Sequence, residues 1–182
     1  MQSFDSIAFA TINQAAGHYA VLDTLMLFVT HYLPYAMIAL VLGYMLVAYP
    51  REYHYSALHR LTQTLEFALT LLTTFVLVQF MKVLVAYPRP FAVLPDVIAL
   101  VPDQGGYSFP SMHTALTIAV AVSVYLHHKR LGLLLILFAL LVGISRIYIG
   151  VHYPVDVLVG GLLGWLISCL FHKLFSKVAN HG

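Results

Sequence analysis

Charge is what this chain has least of. Asp, Glu, Lys and Arg make up 9% of its 182 residues while 61% are hydrophobic, against about 25% charged and about 45–50% apolar in an ordinary soluble domain. So little polar surface excludes a soluble globular domain and points to an integral membrane protein. The single cysteine, Cys169, excludes an intramolecular disulfide and reads as a small apolar filler of the last span. Linkers, low-complexity segments and repeats are also missing, so one domain over residues 1–182 is expected. The opening residues, MQSFDSIAFATINQAAGHY, lack the basic region and long apolar core of a cleavable signal peptide. The chain has no HExxH pattern, no paired-cysteine site and no GxxxxGK[ST] loop, so no metal and no cofactor is expected.

Long apolar runs are what is present. Stretches free of Asp, Glu, Lys and Arg cover residues 24–50, 67–81, 104–128, 131–145 and 157–172. A helix crosses the hydrocarbon with about 20 residues, which the shorter runs reach once their flanking charges lie at the interface or face protein. Five membrane-spanning helices are predicted, near 24–48, 63–86, 110–127, 130–149 and 154–173, in an all-α fold. Ahead of them Phe4, Ile7, Phe9, Ile12 and Ala16 recur with a helical period. They predict a short interfacial helix that need only position the first span. Gly160, Gly161 and Gly164 make a small-residue stripe suited to close helix packing.

Five spans sort the loops into two sets. Arg51, Arg60, Lys129, Arg130, Lys173 and Lys177 all fall in one of them, which the positive-inside rule makes cytoplasmic. Lys82, Arg89 and Arg146 fall at span ends on the other side, where the rule predicts few cations. His113, His152 and Asp156 belong to the same outer layer. Ionisable groups at membrane depth are costly and are functional suspects by default.

That layer has the chemistry of a phosphate site. Lys82 and Arg89 stand in KVLVAYPRP, Ser111 and His113 in FPSMH, Arg146 in SRIYIG, and His152 and Asp156 in VHYPVD. Arginine offers a planar fork of donors matched to phosphate oxygens and lysine a compact charge. Ser111, after Pro110, is placed to cap the third span, where unpaired N–H groups and the helix dipole favour an anion. Pro154 suits the first position of the fifth span, which puts Asp156 in its first turn, able to reach back to His152. An imidazole so held, with its tautomer fixed, is a nucleophile toward phosphorus. His113 would then protonate the leaving oxygen. Three fixed cations supply the charge stabilisation that a metal supplies elsewhere.

These residues resemble the three-part signature of the type 2 phosphatidic acid phosphatase superfamily, KxxxxxxRP, PSGH and SRxxxxxHxxxD, over roughly residues 62–170. Lys82 to Pro90 match the first part, and Ser145, Arg146, His152 and Asp156 match the third at full spacing. In the second part Met112 stands where the family usually has glycine. With Met112 in the first helical turn its N–H stays available to a phosphate, and its side chain is expected to bear on how lipid enters.

The resemblance implies an all-helical membrane phosphatase without a cofactor. His152 would form a phosphohistidine, with Asp156 as its partner and His113 as general acid. Lys82, Arg89, Ser111 and Arg146 would bind the phosphate. The short five-span form with an outward-facing site most resembles bacterial undecaprenyl-diphosphate phosphatases of the bacitracin-resistance type, which regenerate the carrier for cell-wall polymers. Members acting on phosphatidylglycerol phosphate, phosphatidic acid or lipid A use the same residues. The partners this implies are a lipid phosphate and membrane lipids, with no nucleic acid, in the cytoplasmic membrane.

Other readings have distinct requirements. An anion transporter or channel needs polar residues continuing toward the cytoplasm, and residues 114–126 and 131–144 offer little beyond Thr114, Thr117 and Ser123. Vanadate haloperoxidases share the phosphatase residues but are soluble. His54, His59, His127 and His128, on the cytoplasmic side, read as interfacial residues rather than metal ligands, because no ligand spacing supports a site. Glu66 reads as interfacial or as a charge near a helix start. Tyr87, Tyr107, Tyr148 and Tyr153 read as an outer aromatic belt.

Overall fold

The computed structural model describes residues 4–45, 57–101 and 105–179. Arg51 and His54 lie outside them. The chain order is α1 (Phe4–Asn13), α2 (Ala20–Gly43), α3 (Ala57–Val85), the single turn α4 (Pro90–Val93), α5 (Met112–His127), α6 (Lys129–Tyr148) and α7 (Pro154–Ala179). No strand occurs among the described residues. Pro154 opens α7 as its place in the sequence predicts, at the position where a missing N–H costs nothing, and Pro90 opens the additional turn α4 in the same way.

Among the described residues, four segments are long and apolar enough to cross a membrane, namely α2, residues 60–93, α6 and α7. The protein is a multi-pass membrane protein. The third predicted span is shorter than expected: α5 has 16 residues, about 24 Å of helix against a hydrocarbon core of about 30 Å. It tolerates the shortfall because it is the central helix, packed on α6 and α7 and also on α3 and α2. Its residues from Thr114 to Val124 are buried almost without break. The surrounding helices turn Leu72, Phe80, Leu137, Leu158 and Leu162 outward, each more than half exposed, as a lipid-facing surface requires.

Gly160 and Gly164 of the glycine stripe set a close crossing of α5 and α7. A Cβ at Gly160 would stand 2.5 Å from the carbonyl oxygen of Ser111, and one at Gly164 would stand 2.3 Å from that of Ala115. Backbone contact there lets the Ser111 N–H donate to the carbonyl of Asp156 at 3.0 Å. The first turns of α5 and α7, which carry the candidate site residues, are thereby stitched together.

The N-terminal helix does more than position the first span. Asn13 is buried and donates from Nδ2 to the carbonyls of Ile98 (2.9 Å) and Tyr148 (2.8 Å), while its Oδ1 accepts from the N–H of Ile98 at 3.0 Å. Asp5 accepts from the N–H of Val155 at 3.0 Å and so serves one of the unpaired donors at the start of α7. Phe9 is buried against Tyr153, with ring centroids 5.6 Å apart. Asp23, on α2, accepts the hydroxyl of Tyr148 at 2.7 Å. This corrects the aromatic-belt reading for two of its four tyrosines. Tyr148 and Tyr153 are buried in the roof of one end of the bundle, and only Tyr87 and Tyr107 are exposed.

Candidate active site

The turn between α6 and α7 is held in a shape that only glycine permits. Gly150 has φ +84°, and a Cβ there would meet the Ile98 carbonyl oxygen at 2.8 Å. The adjacent N–H of Leu100 donates to the Ile149 carbonyl at 3.2 Å. This tight turn delivers His152, which is 2% exposed, to the start of α7.

Asp156 is fully buried in the first turn of α7, as the position of Pro154 predicts. Its Oδ2 accepts the N–H of Tyr153 at 2.8 Å, acting as a cap within the turn, and lies 3.3 Å from Nδ1 of His152. With Nδ1–H donating to the carboxylate, Nε2 of His152 keeps its lone pair. Burial holds the His152 pKa well below its ordinary value, and Arg146, Arg89 and Lys82, with His113, push it the same way. The ring is therefore neutral at physiological pH.

Two further residues belong to this network and were not anticipated from the sequence. The hydroxyl of Ser108 donates to the same Oδ2 of Asp156, and its oxygen is 3.4 Å from Nδ1 of His152. Thr30 of α2 is buried and accepts from Nη1 of Arg146 at 2.8 Å. Ser108 lies just before the FPSMH stretch, and its proximity to that stretch is the one signal that pointed to it. Thr30 carried none, because its partner is 116 residues away.

The three outer cations converge on His152, all within electrostatic reach of it together with His113. They are also structural. Lys82 donates to the carbonyls of Tyr107 (2.6 Å) and Ser108 (3.0 Å). Arg89 donates from Nε to Gly106 (3.2 Å), from Nη1 to Val151 (3.0 Å) and from Nη2 to Gly105 (3.1 Å). These bonds use two of the three ammonium donors of Lys82 and three of the five guanidinium donors of Arg89.

Ser111 stands at the N-cap of α5 but its hydroxyl makes no capping bond, contrary to the sequence expectation. It accepts from Thr114 Oγ1 at 3.0 Å instead, which leaves its own O–H to donate elsewhere. Met112 is the first residue of α5. Its N–H and those of His113 and Thr114 belong to the first turn, where an α-helix supplies no intrahelical acceptor. His113 shares its neighbourhood with Arg146, Arg89, Lys82 and, from α2, His31.

An apolar groove of about 640 Å³ between α5, α6 and α7 starts beside this layer, at Thr114, Ile147 and Pro154, and runs to Leu162 and Trp165. Leu140, Ile144, Leu158 and Trp165 of its lining are exposed.

A bacitracin transport permease protein, BcrC, of Bacillus licheniformis is 37% identical over 168 residues, covering 90% of this chain and 76% of its own. The undecaprenyl-diphosphatase BcrC of Bacillus subtilis strain 168 is 32% identical over 165 residues, covering 91% and 81%. The crystal structure of Aquifex aeolicus LpxE superposes with a TM-score of 0.76 at 29% identity, over 94% of this chain and 96% of that one. Residues 63–179 match the PAP2 superfamily, and they contain every candidate site residue from Lys82 to Asp156. The chain belongs to the PAP2 superfamily.

Proposed function

We propose that this protein hydrolyses undecaprenyl diphosphate to undecaprenyl phosphate and inorganic phosphate at the outer face of the cytoplasmic membrane. The observation that carries the reading is the buried chain of Ser108, Asp156 and His152 with three cations around it. A neutral imidazole fixed by a carboxylate and surrounded by positive charge is suited to attack a phosphorus atom that the same charge has bound.

In the proposed reaction Lys82, Arg89, Arg146, the Ser111 hydroxyl and the first N–H groups of α5 bind the terminal phosphate. Nε2 of His152 forms a bond to its phosphorus as the bond to the bridging oxygen breaks. His113 gives that oxygen a proton, and the lipid monophosphate leaves. A water that returns its proton to His113 then attacks the phosphohistidine, releasing inorganic phosphate and restoring Nε2. Asp156 balances the charge on the imidazolium during transfer, and Ser108 holds Asp156.

Substrate class and sidedness draw on separate support. The apolar groove beside the site suits an isoprenoid or acyl chain, and two relatives matched over most of their length carry the BcrC name, one of them as an undecaprenyl-diphosphatase. The outward orientation rests on Lys129, Arg130, Lys173 and Lys177 lying at the opposite end of the bundle. A transport path is opposed by the wall of Ile118, Ala119, Val120, Ala121 and Val122 that fills the bundle between its ends.

The test is phosphate release by purified protein in detergent from undecaprenyl diphosphate, phosphatidylglycerol phosphate and phosphatidic acid in parallel. The expected order has undecaprenyl diphosphate first, with His152→Ala inactive on all. Faster release from phosphatidylglycerol phosphate would overturn the substrate, and equal rates in His152→Ala would overturn the mechanism.

A further inference from the structure

At the end of the bundle opposite the candidate active site, three helices bring together ligand atoms that the sequence keeps far apart. Glu66 of α3 is 4% exposed. Its Oε1 lies 3.3 Å from Nε2 of His127, the last residue of α5, and 3.1 Å from Nδ1 of His172 on α7. The three atoms all fall within 4.8 Å of one another. The two imidazole rings meet edge to face with centroids 4.9 Å apart. Sequence reading had set Glu66 and His127 at the interface and passed over His172, because helix packing and not local spacing assembles the trio.

We propose that Glu66, His127 and His172 form a binding site for a divalent transition metal, Zn²⁺ by preference, that ties α3, α5 and α7 together. Two nitrogens and one carboxylate oxygen are a borderline-soft donor set suited to Zn²⁺, with a fourth position left to water. With metal–ligand bonds of about 2.0–2.1 Å, a tetrahedral set spaces neighbouring ligand atoms about 3.3–3.4 Å apart. The two separations to Glu66 are already close to that value, so binding needs side-chain adjustment without helix movement.

Charge and surroundings point the same way. A carboxylate buried among apolar helices is costly unless compensated, and the two imidazoles beside it offer it hydrogen bonds. A divalent cation neutralises it and takes the imidazole lone pairs. Gln63, one turn before Glu66 on α3, places its amide nitrogen Nε2 3.3 Å from Nδ1 of His127, and rotating the amide by half a turn would put its oxygen there. With the amide oxygen turned toward that nitrogen, it accepts Nδ1–H and fixes the tautomer whose Nε2 lone pair faces Glu66. His127 and His172 are about a quarter to a third exposed, which gives an ion access from water. A cavity of about 40 Å³ lined by Gln63, Glu66, His127 and Tyr44 adjoins the cluster, room for a coordinating water. The site is separate from the phosphatase chemistry and does not rest on it.

The experiment is equilibrium dialysis of the full-length, tag-free protein in detergent against Zn²⁺, with metal measured by elemental analysis, repeated with Co²⁺ as a spectroscopic probe. Expected is about one Zn²⁺ per chain, the visible absorption of four-coordinate Co²⁺, and a rise in Tm on adding Zn²⁺. His172→Ala, on a partly exposed residue that leaves the core intact, should lose all three while still releasing phosphate. Gln63→Leu should weaken binding about 10–100-fold, and His152→Ala should bind as the wild type does. Stoichiometry that stays near zero, or that is unchanged in both His172→Ala and His127→Gln, overturns the site and leaves a hydrogen-bonded cluster only. Wild-type protein that binds Zn²⁺ normally but releases no phosphate would count against the active-site reading alone.

Discussion

Ser108 donates its hydroxyl to the Oδ2 of Asp156 that also faces Nδ1 of His152. The carboxylate is thus held from outside the helix that carries it. Ser108→Ala removes this support without touching a group assigned to phosphate binding. Expected is a fall in kcat of about 10–100-fold, the range for losing a contact that orients a working histidine, with KM nearly unchanged. Steady-state kinetics on one lipid substrate separate the two terms, and a change confined to KM would contradict the role.

Thr30 stands in the same relation to Arg146, accepting from Nη1 at 2.8 Å across the α2–α6 contact. Thr30→Val keeps the shape and deletes the acceptor. It is expected to cost roughly 1–3 kcal/mol where the hydrogen bond is buried, read as a lower Tm together with a raised KM as the guanidinium loses its aim. Arg146→Lys loses the planar fork altogether, and kcat/KM should drop about 10²–10³-fold.

The anchors of the site were legible in the sequence, and their supports were not. Lys82, Arg89, Arg146, His152 and Asp156 stand out because each is a polar residue where a bilayer segment admits few, and Pro154 announces the helix that orients Asp156. The five helices follow from runs of apolar residues. Thr30, Ser108 and Asn13 are small polar residues of kinds found on any helix or loop, and their importance comes from partners that packing supplies. Ser111 shows the converse. Its place at the N-cap was readable, but Thr114, one turn on, takes its oxygen, and propensity alone does not settle which of two nearby partners a hydroxyl chooses. The four tyrosines also looked alike in sequence, and two of them became buried because α1 folds over their end of the bundle.

Gly150→Ala tests the turn that delivers His152. The residue would have to hold φ +84° with its Cβ 2.8 Å from the Ile98 carbonyl oxygen. A left-handed conformation costs about 1–2 kcal/mol for alanine, and relieving the contact moves the 97–100 loop away. Thermal unfolding in detergent should show a Tm lower by several degrees, with a parallel loss of kcat. An unchanged Tm would mean that the turn is looser than the structure has it.

The state of His152 sets a pH expectation. Its pKa is lowered by burial first and by Arg146, Arg89, Lys82 and His113 after that, so the neutral ring persists as pH falls through the ordinary histidine range near 6.5. By linkage, the stability associated with the neutral ring is present above about pH 6.5 and is lost as pH falls below it, because the unfolded chain takes up the proton first. Nitrogen NMR of histidine-labelled protein, with His152→Ala to assign the signal, should find the ring still unprotonated where ordinary histidines have taken up their proton. A midpoint near 6.5 would contradict the burial.

The central claim is that His152 carries the phosphoryl group. Protein mixed with undecaprenyl diphosphate labelled in its terminal phosphate, quenched in alkali to preserve a phosphoramidate and then digested, should give a labelled peptide containing His152. His152→Ala should give no labelled peptide. Label on a different residue, or wild-type turnover that continues with no labelled protein at any reaction time, would contradict the account.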